Sequence, residues 1–318
     1  MKTINSIILA IASLFLMSCE DILEKNITNS IIQTTYPIAT TTVQSNVVNF
    51  QWSKLDGAKK YRLQIFLMDQ SVLLEKEVEE TSYSYSFALP GQYQWRVRAE
   101  NNAYISTYSL PVTFSTILST DLTNQLVSLS SPQNNIFTNN PNVTLNWLPL
   151  TAAASFNVEV TNSTTGQSAF STTGVITNSI ALTATNLSQD GLYQWKVKAI
   201  NATSQSAFST NSFSLDTVIP NQPQNTLPIT NSTKTISQPV VFNWTVAADS
   251  GVIQSPISYI IEFSNDMNFT SISQTSNSAT TSFTQSFSTI GVYYWRVKSK
   301  DSAGNISVAS TGFKFTIN

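Results

Sequence analysis

Along most of this chain, apolar and polar residues alternate with a period of two, the signature of strands that bury one face and wet the other. In Val48-Asn49-Phe50-Gln51-Trp52 the apolar side chains share a face, and Val143-Thr144-Leu145-Asn146-Trp147 and Val240-Val241-Phe242-Asn243-Trp244 repeat the motif. A second run alternates as Tyr61, Leu63, Ile65, then Phe156, Val158, Val160, then Tyr259, Ile261, Phe263. A third carries Tyr93-x-Trp95-x-Val97, Tyr193-x-Trp195-x-Val197 and Tyr293-x-Trp295-x-Val297, each behind a glycine. Closing strands are predicted at Val112-x-Phe114, Phe213-x-Leu215 and Phe313-x-Phe315-x-Ile317. A two-tryptophan unit therefore recurs three times at a spacing of about one hundred residues. Helical periodicity is absent beyond the first residues.

One apolar and one polar face per strand indicate antiparallel sheets packed face to face. The prediction is all-β: three β-sandwiches in series, over residues 36–116, 125–216 and 220–318. Units of this size each hold their own core, like beads, unlike the short units of a solenoid. The expected core is Trp52, Trp95, Trp147, Trp195, Trp244 and Trp295 with Tyr93, Tyr193 and Tyr293. Core packing is the ordinary use of such rings, since each buries on the order of 150–250 Å². Residues 19–35 are polar, without Gly or Pro, and read as a tether.

These residues resemble the fibronectin type III family of immunoglobulin-like sandwiches. The resemblance rests on a Trp closing one strand, an aromatic opening the next, and a Tyr two residues before the core position of a later strand. It implies that the paired tryptophans come from opposite sheets, and that each Tyr hydroxyl bonds back to nearby backbone as a tyrosine corner. The motif Tyr-x-Trp-[Arg/Lys]-Val-[Arg/Lys]-[Ala/Ser] resembles more particularly the modules of Bacteroidota lipoproteins.

The N-terminus adds an address. Met1-Lys2-Thr3 leads into an apolar run from Ile7 to Met17, too short to span a bilayer and suited to a signal peptide over residues 1–18. Leu16-Met17-Ser18-Cys19 resembles the lipobox of bacterial lipoproteins, which implies cleavage before Cys19 and lipid attachment to its sulfur. Acyl chains supply about 0.8 kcal/mol of membrane affinity per buried CH₂. Glu20-Asp21 resembles a short form of the acidic stretch associated with surface export in that phylum. The expected location is an outer-membrane lipoprotein displayed at the cell surface, the alternative being a periplasm-facing anchor.

Composition narrows the chemistry. The 318 residues include no histidine and one cysteine, so the usual general base and the commonest metal ligand are both missing. Charged residues are 11% of the chain, whereas Ser, Thr, Asn and Gln make up roughly 40%. Without residues 1–18 the formal net charge is −3, from 15 basic and 18 acidic residues, and no basic run invites nucleic acid.

Four kinds of site merit consideration. For catalysis, Glu75, Glu77, Glu79 and Glu80 cluster, but on a strand pattern that places Glu75, Glu77 and Glu79 on a solvated face. For a metal, the family topology brings Asp249-Ser250-Gly251 near Asp301-Ser302-Ala303-Gly304-Asn305; Asp249, Asp301 and Asn305 would suit Ca²⁺, while the same residues are ordinary turn formers. No other cofactor is indicated. For ligand binding, Asn101, Asn102 and Tyr104 combine amides with a ring that stacks on a sugar face; burial of Tyr104 is the competing account. For modification, Asp216-Thr217-Val218 and Asp301-Ser302-Ala303 resemble the O-glycosylation pattern of Bacteroidota, placing sugars at Thr217 and Ser302.

The expected function is therefore non-enzymatic: a lipid-anchored envelope protein displaying tandem sandwiches for adhesion or for capture of polysaccharide or a surface protein. The rival is a spacer or assembly subunit of an envelope complex with no small ligand, and a more remote one is a glycan hydrolase.

Overall fold

The computed structural model describes residues 24–318; the leader 1–18 and the lipidation position Cys19 lie outside them. The described residues are all-β, with no helix long and apolar enough to cross a membrane. The chain divides into two compact units, one ending at Thr120 and one spanning Asp121–Asn318.

The first unit contains eight strands: β1 (Thr34–Tyr36), β2 (Thr42–Val43), β3 (Val47–Trp52), β4 (Lys60–Phe66), β5 (Val72–Val78), β6 (Ser82–Ser86), β7 (Gly91–Glu100) and β8 (Val112–Thr116). They form a sheet ordered β1-β3-β6 and a facing sheet ordered β2-β8-β7-β4-β5. The alternation sets the register: Tyr61, Leu63 and Ile65 lie opposite Ala99, Val97 and Trp95. All six of these side chains are buried, pointing from the five-stranded sheet toward Val48, Phe50 and Trp52 of the other. In the middle Phe50 meets Trp95 and Phe114 edge to face at 5.1 and 5.6 Å, and Trp52 lies tilted against Trp95 at 6.4 Å. Offset and edge contacts of this kind are the favoured geometry for aromatic pairs.

The second unit repeats the arrangement twice. Its first sandwich holds β9 (Leu129–Ser131), β10 (Ile136–Thr138), β11 (Thr144–Trp147), β12 (Ser155–Asn162), β13 (Gln167–Val175), β14 (Ser179–Ala181), β15 (Gly191–Ile200) and β16 (Ser209–Leu215). Its second holds β17 (Asn225–Leu227), β18 (Ser232–Lys234), β19 (Pro239–Trp244), β20 (Ser258–Ser264), β21 (Gln274–Ser278), β22 (Ser282–Ser286), β23 (Gly291–Lys300) and β24 (Phe313–Ile317). Each pairs a three-stranded sheet with a five-stranded one in the order of the first unit. In the third domain Trp244 and Trp295 again meet at 6.4 Å; in the second, Trp147 packs on Phe156 at 5.5 Å.

The three tyrosines close the same corner. The hydroxyls of Tyr93, Tyr193 and Tyr293 donate to the carbonyls of Leu89, Gln189 and Thr289, at 2.6, 2.6 and 2.9 Å. One contact is not repeated: the Trp95 indole donates to the buried carbonyl of Pro37 at 3.1 Å, while the buried indole nitrogens of Trp195 and Trp295 have no hydrogen-bond partner.

Two boundaries differ from the predicted ones. The segment 24–35, read as part of a tether, is packed on the first domain: Ile27 and Ile32 are buried in its core. Ile27, Ile31 and Ile32 in a polar run make no period-two pattern, so the role of Ile27 and Ile32 in closing the end of the sandwich left no strand signal. Likewise Leu122 belongs to the second domain's core, which therefore begins before the predicted start at residue 125.

Candidate functional site

Each sandwich has one corner where its incoming segment, the loop after its first long core strand and the loop after its Tyr-x-Trp strand converge. In the first domain the residue after β7 is Asn101, which is buried. Its Oδ1 accepts the backbone amides of Ala103 and Tyr104 at 3.1 and 2.8 Å, shaping the loop as an Asx turn. Its Nδ2 donates to the carbonyls of Lys25, in the incoming segment, and Gly57, in the β3–β4 loop, both at 2.9 Å. One amide thus closes a three-way junction. The second domain does the same after β15. Asn201 Oδ1 accepts from Thr203 and Ser204, and its Nδ2 donates to Ala152 of the β11–β12 loop at 3.0 Å. The incoming Leu122 amide donates to Ser204 Oγ at 2.9 Å.

In the third domain the residue after β23 is Asp301, and the junction changes character. Asp301 Oδ1 still shapes its loop, accepting the amides of Gly304 and Asn305 at 2.7 and 2.8 Å. The β19–β20 loop, longer than its counterparts, brings in Asp249, whose Oδ2 accepts the Ser255 amide at 2.6 Å. The incoming segment brings in Asp216, the residue that follows β16. Gly251 holds a positive φ of 94° with Val218 only 3.1 Å from where a Cβ would stand, so the loop packs directly on the joint. The three aspartates each offer a carboxylate oxygen, and these oxygens lie within 4.8 Å of one another.

The cluster is dry. Asp216 is 0%, Asp301 3% and Asp249 8% exposed. No Lys or Arg among the described residues forms an ion pair with any of them. Asp216 Oδ1 accepts the Val218 amide at 3.2 Å, but its Oδ2 is buried with no partner. Burial pushes the Asp216 carboxyl up to about 6, opposed by the Val218 amide and reinforced by the charges of Asp249, Asp301 and Asp190.

Of the residues expected to hold Ca²⁺, Asp249 and Asp301 are brought together, whereas Asn305 is placed differently. Its Nδ2 donates to Asp301 Oδ2 and to the Asp216 carbonyl, both at 2.8 Å, so it supplies an N–H crossbar and not a metal-facing oxygen. Its Oδ1 accepts from Asn139 Nδ2 at 3.2 Å. The third carboxylate comes from Asp216, noticed in the sequence only as part of a modification pattern. The signal that points to it is topological: a tandem sandwich delivers the incoming chain to the end where these two loops meet.

The other candidates scatter. Asn101 is committed inside its loop, Asn102 is exposed and donates to Glu24 at 2.8 Å, and Tyr104 packs half-buried against the core. Thr217 is exposed with its hydroxyl bonded to Asp190 at 3.0 Å, and Ser302 is exposed with its hydroxyl bonded to the Pro256 carbonyl at 3.1 Å. Glu75 and Glu77 join a cross-strand ladder with Arg62 at 3.2 and 3.0 Å, with Gln64 on Glu75 and Lys60 on Glu77. Gln64 first, then Arg62, holds the Glu75 carboxyl below the usual range, opposite to what a general acid requires.

No family model matches the chain, and no curated protein matches it. Solved structures do resemble it. The chicken CNTN1 FN1-FN3 domains are 18% identical, with a TM-score of 0.41, covering 90% of this chain and 96% of theirs. A two fibronectin type-III domain segment from chicken tenascin is 17% identical, with a TM-score of 0.22, covering 57% of this chain and 97% of its own. Each domain here pairs a three-stranded sheet with a five-stranded one and closes a tyrosine corner. The fold is fibronectin type III-like.

Proposed function

We propose that this is a non-enzymatic, lipid-anchored envelope protein that displays three tandem sandwiches for adhesion or for capture of polysaccharide or a surface protein. The observation that carries the reading is the modular build: three separate cores, each filled by its own tryptophans, in a chain whose leader resembles a lipoprotein's. Such a chain presents loops on rigid scaffolds, which is how sandwiches of this class carry variable recognition. Anchoring would be through Cys19 to the outer membrane, with display at the surface and with Thr217 and Ser302 open to glycosylation.

A second reading, a spacer or assembly subunit, is favoured by the first domain's loop. The amide of Asn101 is spent on Lys25 and Gly57, and Asn102 is held by Glu24, so the pair proposed to meet a sugar is already engaged. A glycan and protein array probed with the protein lacking residues 1–19 separates the two. Display predicts a saturable, dose-dependent signal reduced by Tyr104→Ala; a spacer gives none. Radiolabelled palmitate incorporation, lost in Cys19→Ala, tests the anchor on its own.

A further inference from the structure

The corner between the second and third domains is electrostatically incomplete. The same three-way junction is closed in the first two domains by a neutral amide that donates N–H groups to carbonyls, from Asn101 and Asn201. At the equivalent place the third domain has Asp301, and the two segments it faces contribute Asp249 and Asp216. At the central position an amide that donates has been exchanged for a carboxylate, and the two segments facing it add carboxylates of their own. Three nearly buried carboxylates without a basic partner repel one another and forfeit their hydration. A separate observation says what kind of group completes them: Asp216 Oδ2, in a residue with no exposure, has no donor within reach.

We propose that this junction binds one Ca²⁺ through Asp216, Asp249 and Asp301, and that the ion locks the joint between the second and third domains. The donor set is all carboxylate, in a chain without histidine, which suits a hard cation and not a softer transition metal. The spacing fits as it stands. Oxygens sharing a Ca²⁺ at about 2.3–2.6 Å sit no more than about 5 Å apart, and the cluster's oxygens lie within 4.8 Å. Asn305 orients the site from behind, fixing Asp301 Oδ2 and the Asp216 carbonyl with one amide nitrogen. Because Asp216 directly follows β16 while Asp249 and Asp301 sit on third-domain loops, the ion ties the last strand of one sandwich to the next. Ca²⁺ would therefore set the stiffness of that joint, a role that goes beyond display and does not depend on which ligand the loops take.

The test is isothermal titration of Ca²⁺ into the chelator-treated protein near pH 7.5, with amide exchange followed over residues 216–220 and 249–255. The expected result is one Ca²⁺ per chain with Kd of about 10⁻⁵–10⁻³ M, and slower exchange in both segments when it is bound. Asp301→Asn and Asp216→Asn are both isosteric and each removes one ligand charge, and circular dichroism checks that each variant keeps its fold. Each weakens binding by at least about tenfold and abolishes the exchange response, because ligand charge sets affinity. A wild-type protein that gives no Ca²⁺ heat overturns the proposal; its cluster then shares a proton instead. Binding that survives unchanged in both variants overturns it equally.

Discussion

The three Tyr-x-Trp strands offer a controlled experiment on one hydrogen bond. Trp95, Trp195 and Trp295 are each 0% exposed at equivalent positions, yet only the Trp95 indole has a partner, the Pro37 carbonyl at 3.1 Å. Replacing each with Phe removes similar apolar volume, at a common cost of about 1–2 kcal/mol for lost burial and the cavity left behind. In Trp95→Phe a buried carbonyl is also stripped of its donor, which adds about 1–3 kcal/mol. In the other two, the substitution deletes an N–H that was buried without a partner, and some desolvation cost is recovered. Trp95→Phe should therefore destabilise its own domain by at least about 1 kcal/mol more than the others destabilise theirs, roughly a fivefold difference in the unfolding equilibrium. Hydrogen exchange across a denaturant series, read on peptides from β7, β15 and β23, reports each domain separately. Equal losses in all three, or a larger loss in Trp195→Phe or Trp295→Phe, would show that the Pro37 bond contributes nothing and that cavity relaxation alone governs the site.

Three further outcomes are expected. Ile27→Ala should lower the first domain's stability by about 2–4 kcal/mol in chemical denaturation, as for any large-to-small core change; a residue in a free tether would give no change. Tyr193→Phe should cost the second domain about 1–2 kcal/mol by removing the hydroxyl bond to Gln189, measured as a lower melting temperature of that transition. The third is pH dependence at Glu100, whose carboxyl is held below its usual range by Arg62, with burial opposing and Arg98 assisting. A folded value below the unfolded one gives stabilisation that is complete above the unfolded value of 4.5 and lost as pH falls from there through the folded value. Glu100→Gln should flatten that acid limb in calorimetry, and an unchanged slope would mean that the Arg62 pair is not coupled to folding.

Much of the architecture was legible in the residues because burial in a sandwich imposes a period of two. Val48-x-Phe50-x-Trp52 and Tyr93-x-Trp95-x-Val97 predict their faces, and those faces are the buried ones. What lacked periodicity was misread. Ile27, Ile32 and Leu122 close sandwich ends from irregular segments, where a single apolar side chain has no neighbours at i+2 to announce it. The loops of the third domain were half legible: Asp249 and Asp301 could be paired because the topology predicts which loops share an end. Asp216 could not, since it was read by its neighbours Thr217 and Val218 and not by where the strand before it delivers the chain.

A repeat protein nevertheless carries its own comparison within its sequence. Asn101, Asn201 and Asp301 each follow a ten-residue strand begun by Gly91, Gly191 and Gly291. Two amides and one acid at a single structural position is a difference that packing does not require, because Asn and Asp have nearly the same shape and each accepts two amides of its own loop through one oxygen. What differs is the second terminal atom, a donor in one case and an acceptor in the other. An acceptor replacing a donor at a buried junction stays stable only if the surrounding atoms change sign with it. The surroundings do so only in part: Asn305 Nδ2 donates to Asp301 Oδ2, but Asp249 and Asp216 bring two further carboxylates, and Asp216 Oδ2 has no donor. The electrostatics of that corner therefore depend on something outside the polypeptide, a proton or a cation. The choice between them decides whether the joint is a fixed hinge or one that responds to its ionic surroundings.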